Sequence, residues 1–225
     1  MRKFLALIIV LAWGLPLFSQ THYTSNVSVG GRAGIDLSYV SFSPAIKQSW
    51  PVNPTLGVSI RYIEENHFGL IAELNYVRRG WKENFEGLPF RYQRNIDYLE
   101  IPVFAHIYFG RENKFFINAG PQIAFKLSDS YSANFDPYEI NSIPDFPLRN
   151  RRNAQLTEKI TQKVDYGISA GLGYERAINA KHAVSLEARY YFGLGNIVSA
   201  KRQANFRASN TMYIAITAGY WFRFK

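Results

Sequence analysis

The stretch TMYIAITAGYWFRF, residues 211–224, decides the fold of this chain. Its apolar side chains fall on one face of an extended chain: Met212, Ile214, Ile216, Ala218, Tyr220, Phe222 and Phe224. This period of two predicts a β-strand with one apolar face. The stretch exceeds the roughly 9–11 residues that a tilted strand needs to cross a membrane. A terminal strand with such an apolar face would promote aggregation in water. We therefore predict that it is one strand of a closed barrel in lipid.

Seven further segments alternate in the same way, at residues 27–39, 55–63, 68–79, 98–109, 115–127, 164–176 and 183–193. Short polar connections (64–67, 110–114, 177–182) alternate with long ones (40–54, 80–97, 128–163, 194–210). Short periplasmic turns and long extracellular loops are typical of outer-membrane barrels with an even strand number. We therefore predict an all-β fold: an eight-stranded antiparallel up-and-down transmembrane β-barrel. Residues 154–163 are predicted to hold a helical turn or two.

The first residues carry the pattern of a secretory signal peptide. Arg2 and Lys3 precede an apolar run at residues 4–18, and Ser19 is a small residue at a plausible cleavage point. Gly14 and Pro16 interrupt the run, which disfavours an uncleaved helical anchor. We predict a signal peptide at residues 1–19 and a barrel domain at residues 20–225.

Composition narrows the function classes. The chain has no Cys, which excludes disulfides, thiol chemistry and cysteine-ligated metals. Its 15 Tyr, 17 Phe and 4 Trp suit a barrel with aromatic girdles at both membrane surfaces. The formal charge of +9 could indicate nucleic acid, but an exported protein meets lipid headgroups instead. We expect a location in the cell outer membrane, with lipid and lipopolysaccharide as partners of the net basic long loops and no nucleic acid.

The alternating polar faces must point into the barrel or out of it. A soluble lipocalin-like barrel also has eight alternating strands, but its wetted face is usually rich in Lys, and here Lys126 is the one clear Lys. The other members are small residues and charges of both signs, which suit a narrow interior. Because eight strands leave room only for side chains, we predict a paired lumen network rather than an ion path: Arg32, Asp36, Arg61, Glu73, Glu100, Asp165, Glu187, Arg189 and Arg223.

Several short motifs resemble the small outer-membrane β-barrel proteins of Bacteroidetes, grouped as PorT-like or "porin family" proteins. They are GIDLS (34–38), ELNY (73–76) with Gly80, LEIP (99–102), AGP (119–121), DYG (165–167) with GLGY (171–174), and RYYFGL (189–194) followed by Asn196. The resemblance implies the fold and the outer-membrane location. One member of that family is tied to a secretion system, which implies a possible secretion partner.

The end of the chain also resembles the C-terminal signal read by the barrel-assembly machinery, which implies that machinery as a partner. The residues that carry this resemblance are Gly219, Phe222 and Phe224. Lys225, after the terminal aromatic residue, departs from the pattern.

Candidate chemical sites are weak. His106 alone among the four His faces the predicted lumen, and with Glu100 it suggests a hydrogen-bonded interior residue more than a catalytic pair. No His, Asp or Glu cluster has the spacing of metal ligands. We therefore expect no cofactor and no enzymatic activity. The predicted function is a structural or interaction barrel that binds an extracellular ligand or an envelope or secretion partner; the alternative is a narrow channel for small solutes.

Overall fold

The computed structural model describes residues 25–149, 151–198 and 205–224, so the predicted signal peptide at 1–19 lies outside the described residues. Nine strands follow one another in the described residues: β1 Asn26–Ser43, β2 Gln48–Ser49, β3 Val52–Glu65, β4 Phe68–Glu83, β5 Tyr92–Phe109, β6 Asn113–Ala133, β7 Val164–Ala177, β8 His182–Asn196 and β9 Ala208–Arg223. Two 3-10 turns, Ile140–Ser142 and Ala154–Leu156, lie between β6 and β7. Nowhere in the described segments does a helix have the length and apolar character needed to cross a membrane.

Eight strands close into a ring in which every neighbouring pair is antiparallel. β3 pairs with β1, β1 with β9, and the meander then runs back through β8, β7, β6 and β5. Pairing of β4 with β5 closes the ring, and the two-residue β2 is an extra edge against β4. The predicted eight-stranded antiparallel barrel is confirmed. Closure leaves no free edge in the ring, which is the condition for strands to cross lipid.

The strands extend further than predicted at the long-loop end. β5 starts at Tyr92 rather than at residue 98, and β6 ends at Ala133 rather than at residue 127. Beyond the membrane both faces of a strand meet water or loops, so the apolar alternation that marks the spanning part stops before the hydrogen-bonded ladder does. The loops proper are therefore shorter than the sequence indicated, and the predicted helical turns reduce to short 3-10 segments.

The apolar face of each spanning strand points outward. Leu172 is 64% exposed and Phe115 is 67% exposed, while inward-facing Arg61 and Glu100 are each 1% exposed. This is the reverse of a lipocalin, so the soluble alternative is wrong.

Gly80 of β4 is hydrogen-bonded to β1 at the loop end of the barrel. Its φ is 151°, and a Cβ there would lie 1.9 Å from the carbonyl oxygen of Arg94. The Ser38 hydroxyl donates to the Gly80 carbonyl and accepts from the Gly80 amide, both at 3.1 Å. Asn53 in turn donates to Ser38 at 3.2 Å. A side chain at position 80 would break this close approach, which gives a physical reason for glycine in that motif.

An apolar core formed by the loops covers the outer end of the barrel, beyond the membrane. Phe146, Leu156 and Ile160, from the segment between β6 and β7, are buried against the outer ends of β4 and β5, where they contact a cluster that includes Trp81 and Tyr92. We call this the loop cap. Long loops of an outer-membrane barrel need not fold together; here they do, because the segment carries enough apolar side chains to bury a core of its own.

Candidate functional site: the lumen and the loop surface

The centre of the lumen holds an alternating ring of two arginines and two glutamates. Glu73 of β4 accepts hydrogen bonds from Arg32 of β1 at 2.6 Å and from both terminal nitrogens of Arg189 at 2.8 and 2.9 Å. Glu187 of β8 lies 3.0 Å from Arg189 and 3.4 Å from Arg32. Asn75 donates to Glu73 at 2.9 Å. Opposite charges balance within this central group, as buried charges require.

A turn-side pair lies nearer the short connections. Arg61 of β3 donates to Glu175 of β7 at 2.5 Å, and both side chains are 1% exposed. The Arg61 guanidinium also lies 4.2 Å from the centre of the Trp221 ring. Lys114 Nζ is 3.7 Å from Glu175 and 4.7 Å from the ring of Tyr108. Cation–π contacts and the ion pair together stabilise two cations around one carboxylate.

A loop-side group centres on Arg79 of β4, which is fully buried. It lies 2.8 Å from Asp165 and is also paired with Glu100. The rings of Tyr191 and Tyr213 lie 4.4 and 4.7 Å from its guanidinium. Their hydroxyls donate to Asp165 and Glu100, each at 3.0 Å. Arg79 thus pairs directly with both carboxylates, and the two tyrosines that pack on it each donate a hydrogen bond to one of them.

The structure brings together seven of the nine predicted network residues and leaves two apart. Asp36 is completely buried, yet neither of its carboxylate oxygens has a hydrogen-bond partner among the described residues. Arg223 is half-buried at the short-turn end and forms no salt bridge within the described part of the chain. Arg223 does not join the others because β9 ends there.

Two residues that organise these groups were missing from the predicted network: Arg79 and Glu175. Both have inward parity in the sequence, at the ends of segments 68–79 and 164–176. Their inward position in the alternating pattern alone could have identified them, since the hydrogen-bonded strands continue past both positions.

The lumen holds a small cavity between two of these charged groups. A cavity of about 20 Å³, lined by Arg32, Glu73 and His106 among others, lies between the central group and the turn-side pair. That volume suits about one water molecule. His106 is 1% exposed, and its Nδ1 lies 2.7 Å from Asn118 Oδ1. Among the described residues no group of three His, Asp or Glu side chains is placed to hold a metal ion.

The loop cap has its own buried ion pair. Arg151 is paired with Glu83, which also accepts from Trp81 at 3.0 Å and from Gln155 at 3.1 Å. Burial raises the pKa of the Glu83 carboxyl, and Arg151 opposes that shift. Tyr92 donates to the Leu156 carbonyl at 2.8 Å, and burial raises the pKa of Tyr92 to about 12. These contacts fasten the segment after β6 to the ends of β4 and β5.

Much of the basic character of the loops is neutralised by acidic neighbours. Arg94 lies 2.6 Å from Asp129, and Arg78 lies 2.7 Å from Asp97. On the long-loop side, the exposed basic residues that form no salt bridge with a described residue are Lys82, Arg91, Arg149, Arg152, Lys159, Lys163 and Arg207.

The residues of the C-terminal motif lie at the short-turn end of β9. The rings of Phe222 and Phe224 are 5.2 Å apart and perpendicular to each other, and Phe224 is 46% exposed. The amide of Phe224 donates to the carbonyl of Val27 at 2.9 Å. Gly219 lies opposite Arg32 of β1 in the closing ladder.

Comparison with known proteins identifies the family. A family model described as an outer membrane protein beta-barrel domain matches residues 18–199. Neisserial surface protein A is similar in structure, with a TM-score of 0.50 at 15% sequence identity, covering 90% of this chain and 100% of that chain. OprG from Pseudomonas aeruginosa has a TM-score of 0.52 at 14% identity, covering 89% of this chain and 95% of that chain. No curated protein sequence matches this chain.

At these identities the structural likeness supports the fold alone, and the family model extends it to membership and location. The short turns then face the periplasm and the long loops face the cell exterior. The chain therefore belongs to the family of outer membrane proteins with a β-barrel domain, and it lies in the cell outer membrane.

Proposed function

We propose that this protein is a non-catalytic barrel whose lumen is closed and whose extracellular loops form a folded surface for binding a partner. The observation that carries this proposal is the stacking of three charged groups and the loop cap along one narrow lumen. A hydrated solute would have to separate the ion pairs of the central group, and each buried pair costs about 3–5 kcal/mol to break by loss of one partner.

Conductance measurements test the closed lumen directly. Refolded protein is incorporated into planar bilayers, with vesicle flotation to show insertion and an open porin as the conducting control. We expect no steady single-channel steps. Reproducible steps in the wild type, with ion selectivity altered by Glu73→Gln, would favour the narrow channel instead, because lumen substitutions tune selectivity in open barrels.

The absence of catalysis is part of the same proposal. A general base must reach the proton that it abstracts. His106, the lumen histidine, is enclosed and hydrogen-bonded to Asn118. A hydrolase screen with ester, peptide and phospholipid substrates should give equal rates for the wild type and for His106→Gln. A rate that His106→Gln abolishes would contradict it.

We also propose partners for the outer surface and for export. Exposed cations such as Lys163, which lies three residues before the lipid-facing Tyr166, are suited to phosphate groups of lipopolysaccharide. A signal peptide at residues 1–19 should be cleaved, and N-terminal sequencing of the mature protein should begin at Gln20. Membership of the PorT-like group, and a secretion-system partner, rest on the sequence motifs; cross-linking in cells followed by identification of periplasmic partners would test them.

A further inference from the structure

The extracellular tip of the barrel has a groove between two loops. One wall comes from Phe90, at the end of the connection between β4 and β5, and the other from the segment just after β6, including Phe135 and Ile143. The groove has a volume of about 330 Å³. We call it the tip groove. It lies on the face that the cell presents to its surroundings.

An aromatic cluster forms the floor of the tip groove and holds its shape. The ring centres of Phe90 and Phe135 are 5.8 Å apart, and both pack on Phe146, at 4.9 and 5.1 Å. Phe146 belongs to the buried core of the loop cap. Asn134 joins the two walls, since its side chain accepts from the Arg91 amide at 2.7 Å and donates to the Pro89 carbonyl at 2.8 Å. The groove is therefore built on a packed core.

The rim of the tip groove is acidic. Asp136 and Glu139 are exposed and line it. One oxygen of Asp136 accepts from the Tyr138 amide at 2.9 Å, and neither carboxylate forms a salt bridge with a described residue. Tyr138, between them in the chain, is 67% exposed. The residues that line the groove include these two carboxylates and no basic side chain.

This local charge is opposite in sign to the rest of the outer surface. The sequence between β6 and β7 carries four acidic and five basic residues, and three of the acidic ones (Asp136, Glu139 and Asp145) precede the first basic one, Arg149. Arg151, one of those five basic residues, is paired with Glu83. An acidic, aromatic groove thus lies on an otherwise basic loop surface.

We propose that the tip groove binds a cationic segment of an extracellular partner protein, in which a Lys or Arg pairs with Asp136 and Glu139 and a neighbouring apolar side chain packs on Phe90 and Phe135. Aromatic rings attract cations over their faces as well as apolar groups, and exposed aromatic residues such as Tyr138 are common anchors of interfaces. The inference rests on the proposed role of the loops in binding. It adds the chemistry of the partner.

A peptide titration tests the tip groove. The probes are the acetylated, amidated hexapeptides KLKLKL, KSKSKS and ELELEL, titrated calorimetrically into the protein in nanodiscs of zwitterionic lipid, with empty nanodiscs subtracted. We expect KLKLKL to bind and ELELEL not to bind, with KSKSKS weaker because it lacks the apolar contact. The double variant Asp136→Asn/Glu139→Gln should weaken KLKLKL binding by at least about tenfold.

Glu86→Gln is the matched control. Glu86 is an exposed carboxylate on the same outer surface, but it is 2.6 Å from Lys47 and is not one of the residues that line the groove. This control should leave the affinity within about twofold. Absence of KLKLKL binding at millimolar concentration, equal affinity in the rim variant, or equal binding of ELELEL would each overturn the proposal. So would a dimer in sedimentation that the rim variant abolishes, since a second copy would then occupy the groove. None of these results bears on the conductance test of the closed lumen.

Discussion

Replacing Glu73 by Gln tests whether the charges of the lumen hold the barrel together. Glu73 lies between Arg32 and Arg189 and is 2% exposed at its side chain. Gln keeps the size of the side chain but removes its negative charge. Two guanidinium groups would then remain with Glu187 as their one carboxylate neighbour in the central group.

The expected cost follows from this imbalance. Removing one partner of a buried ion pair destabilises a protein by about 3–5 kcal/mol, because an uncompensated charge remains. With a urea slope of about 1–3 kcal/mol per molar, the unfolding midpoint should fall by roughly 1–5 M. Unfolding in lipid vesicles can be followed by tryptophan fluorescence and by heat-modifiable mobility on gels. Glu64→Gln, at an exposed carboxylate near the end of β3, is the control and should not move the midpoint.

A second variant checks the mechanism. Adding Arg189→Met to Glu73→Gln removes one charge of each sign and leaves Arg32 paired with Glu187, 3.4 Å away. The double variant should therefore be less destabilised than the sum of the single changes, by about 0.5–3 kcal/mol. The reasoning would be refuted by a correctly folded Glu73→Gln barrel whose stability is within about 0.5 kcal/mol of the wild type.

Three further predictions follow from other parts of the molecule. Asp36→Asn should move the urea midpoint far less than Glu73→Gln does, because the oxygens of buried Asp36 accept no hydrogen bond among the described residues and an unpaired buried carboxyl is neutral; a fall like that of Glu73→Gln would show that Asp36 is ionised and paired. Arg151→Met should free the loop cap, so that trypsin cleaves after Arg149 several-fold faster while the barrel midpoint stays unchanged; equal cleavage would contradict this. Phe222→Ala with Phe224→Ala should sharply lower the amount of protein in the outer membrane at constant mRNA, and normal abundance would reject the assembly signal.

The lumen shows how much the alternating pattern predicts: it identifies which charged residues face inward, but not which of them pair. Inward parity placed Glu73 and Arg189 in the interior, and the structure pairs them at 2.8 Å. The same parity placed Asp36 inside, where its carboxyl oxygens have no hydrogen-bond partner among the described residues. Which inward charges meet depends on the stagger between strands that are distant in sequence, such as β4 and β8. A single sequence does not reveal that stagger.

The sequence pattern predicted less about the loops than about the strands. Their lengths predicted which ends of the strands face outward, but the segment between β6 and β7 was predicted only as a long loop with a helical turn or two. Its buried Phe146 and Leu156 follow no period, since they belong to no strand in lipid. The tip groove and the loop cap therefore left no signal in the sequence pattern.

The sequence by itself determined the barrel, its strand number and its location. Those properties follow from a local rule: lipid on one side and a narrow interior on the other impose a period of two on every spanning strand. Only the tertiary structure decided which charges pair, that the loops form a core, and that acidic residues gather on an aromatic floor. These depend on strand register and on packing between segments far apart in the chain, where many arrangements satisfy the same alternation and the free energy of contact selects one.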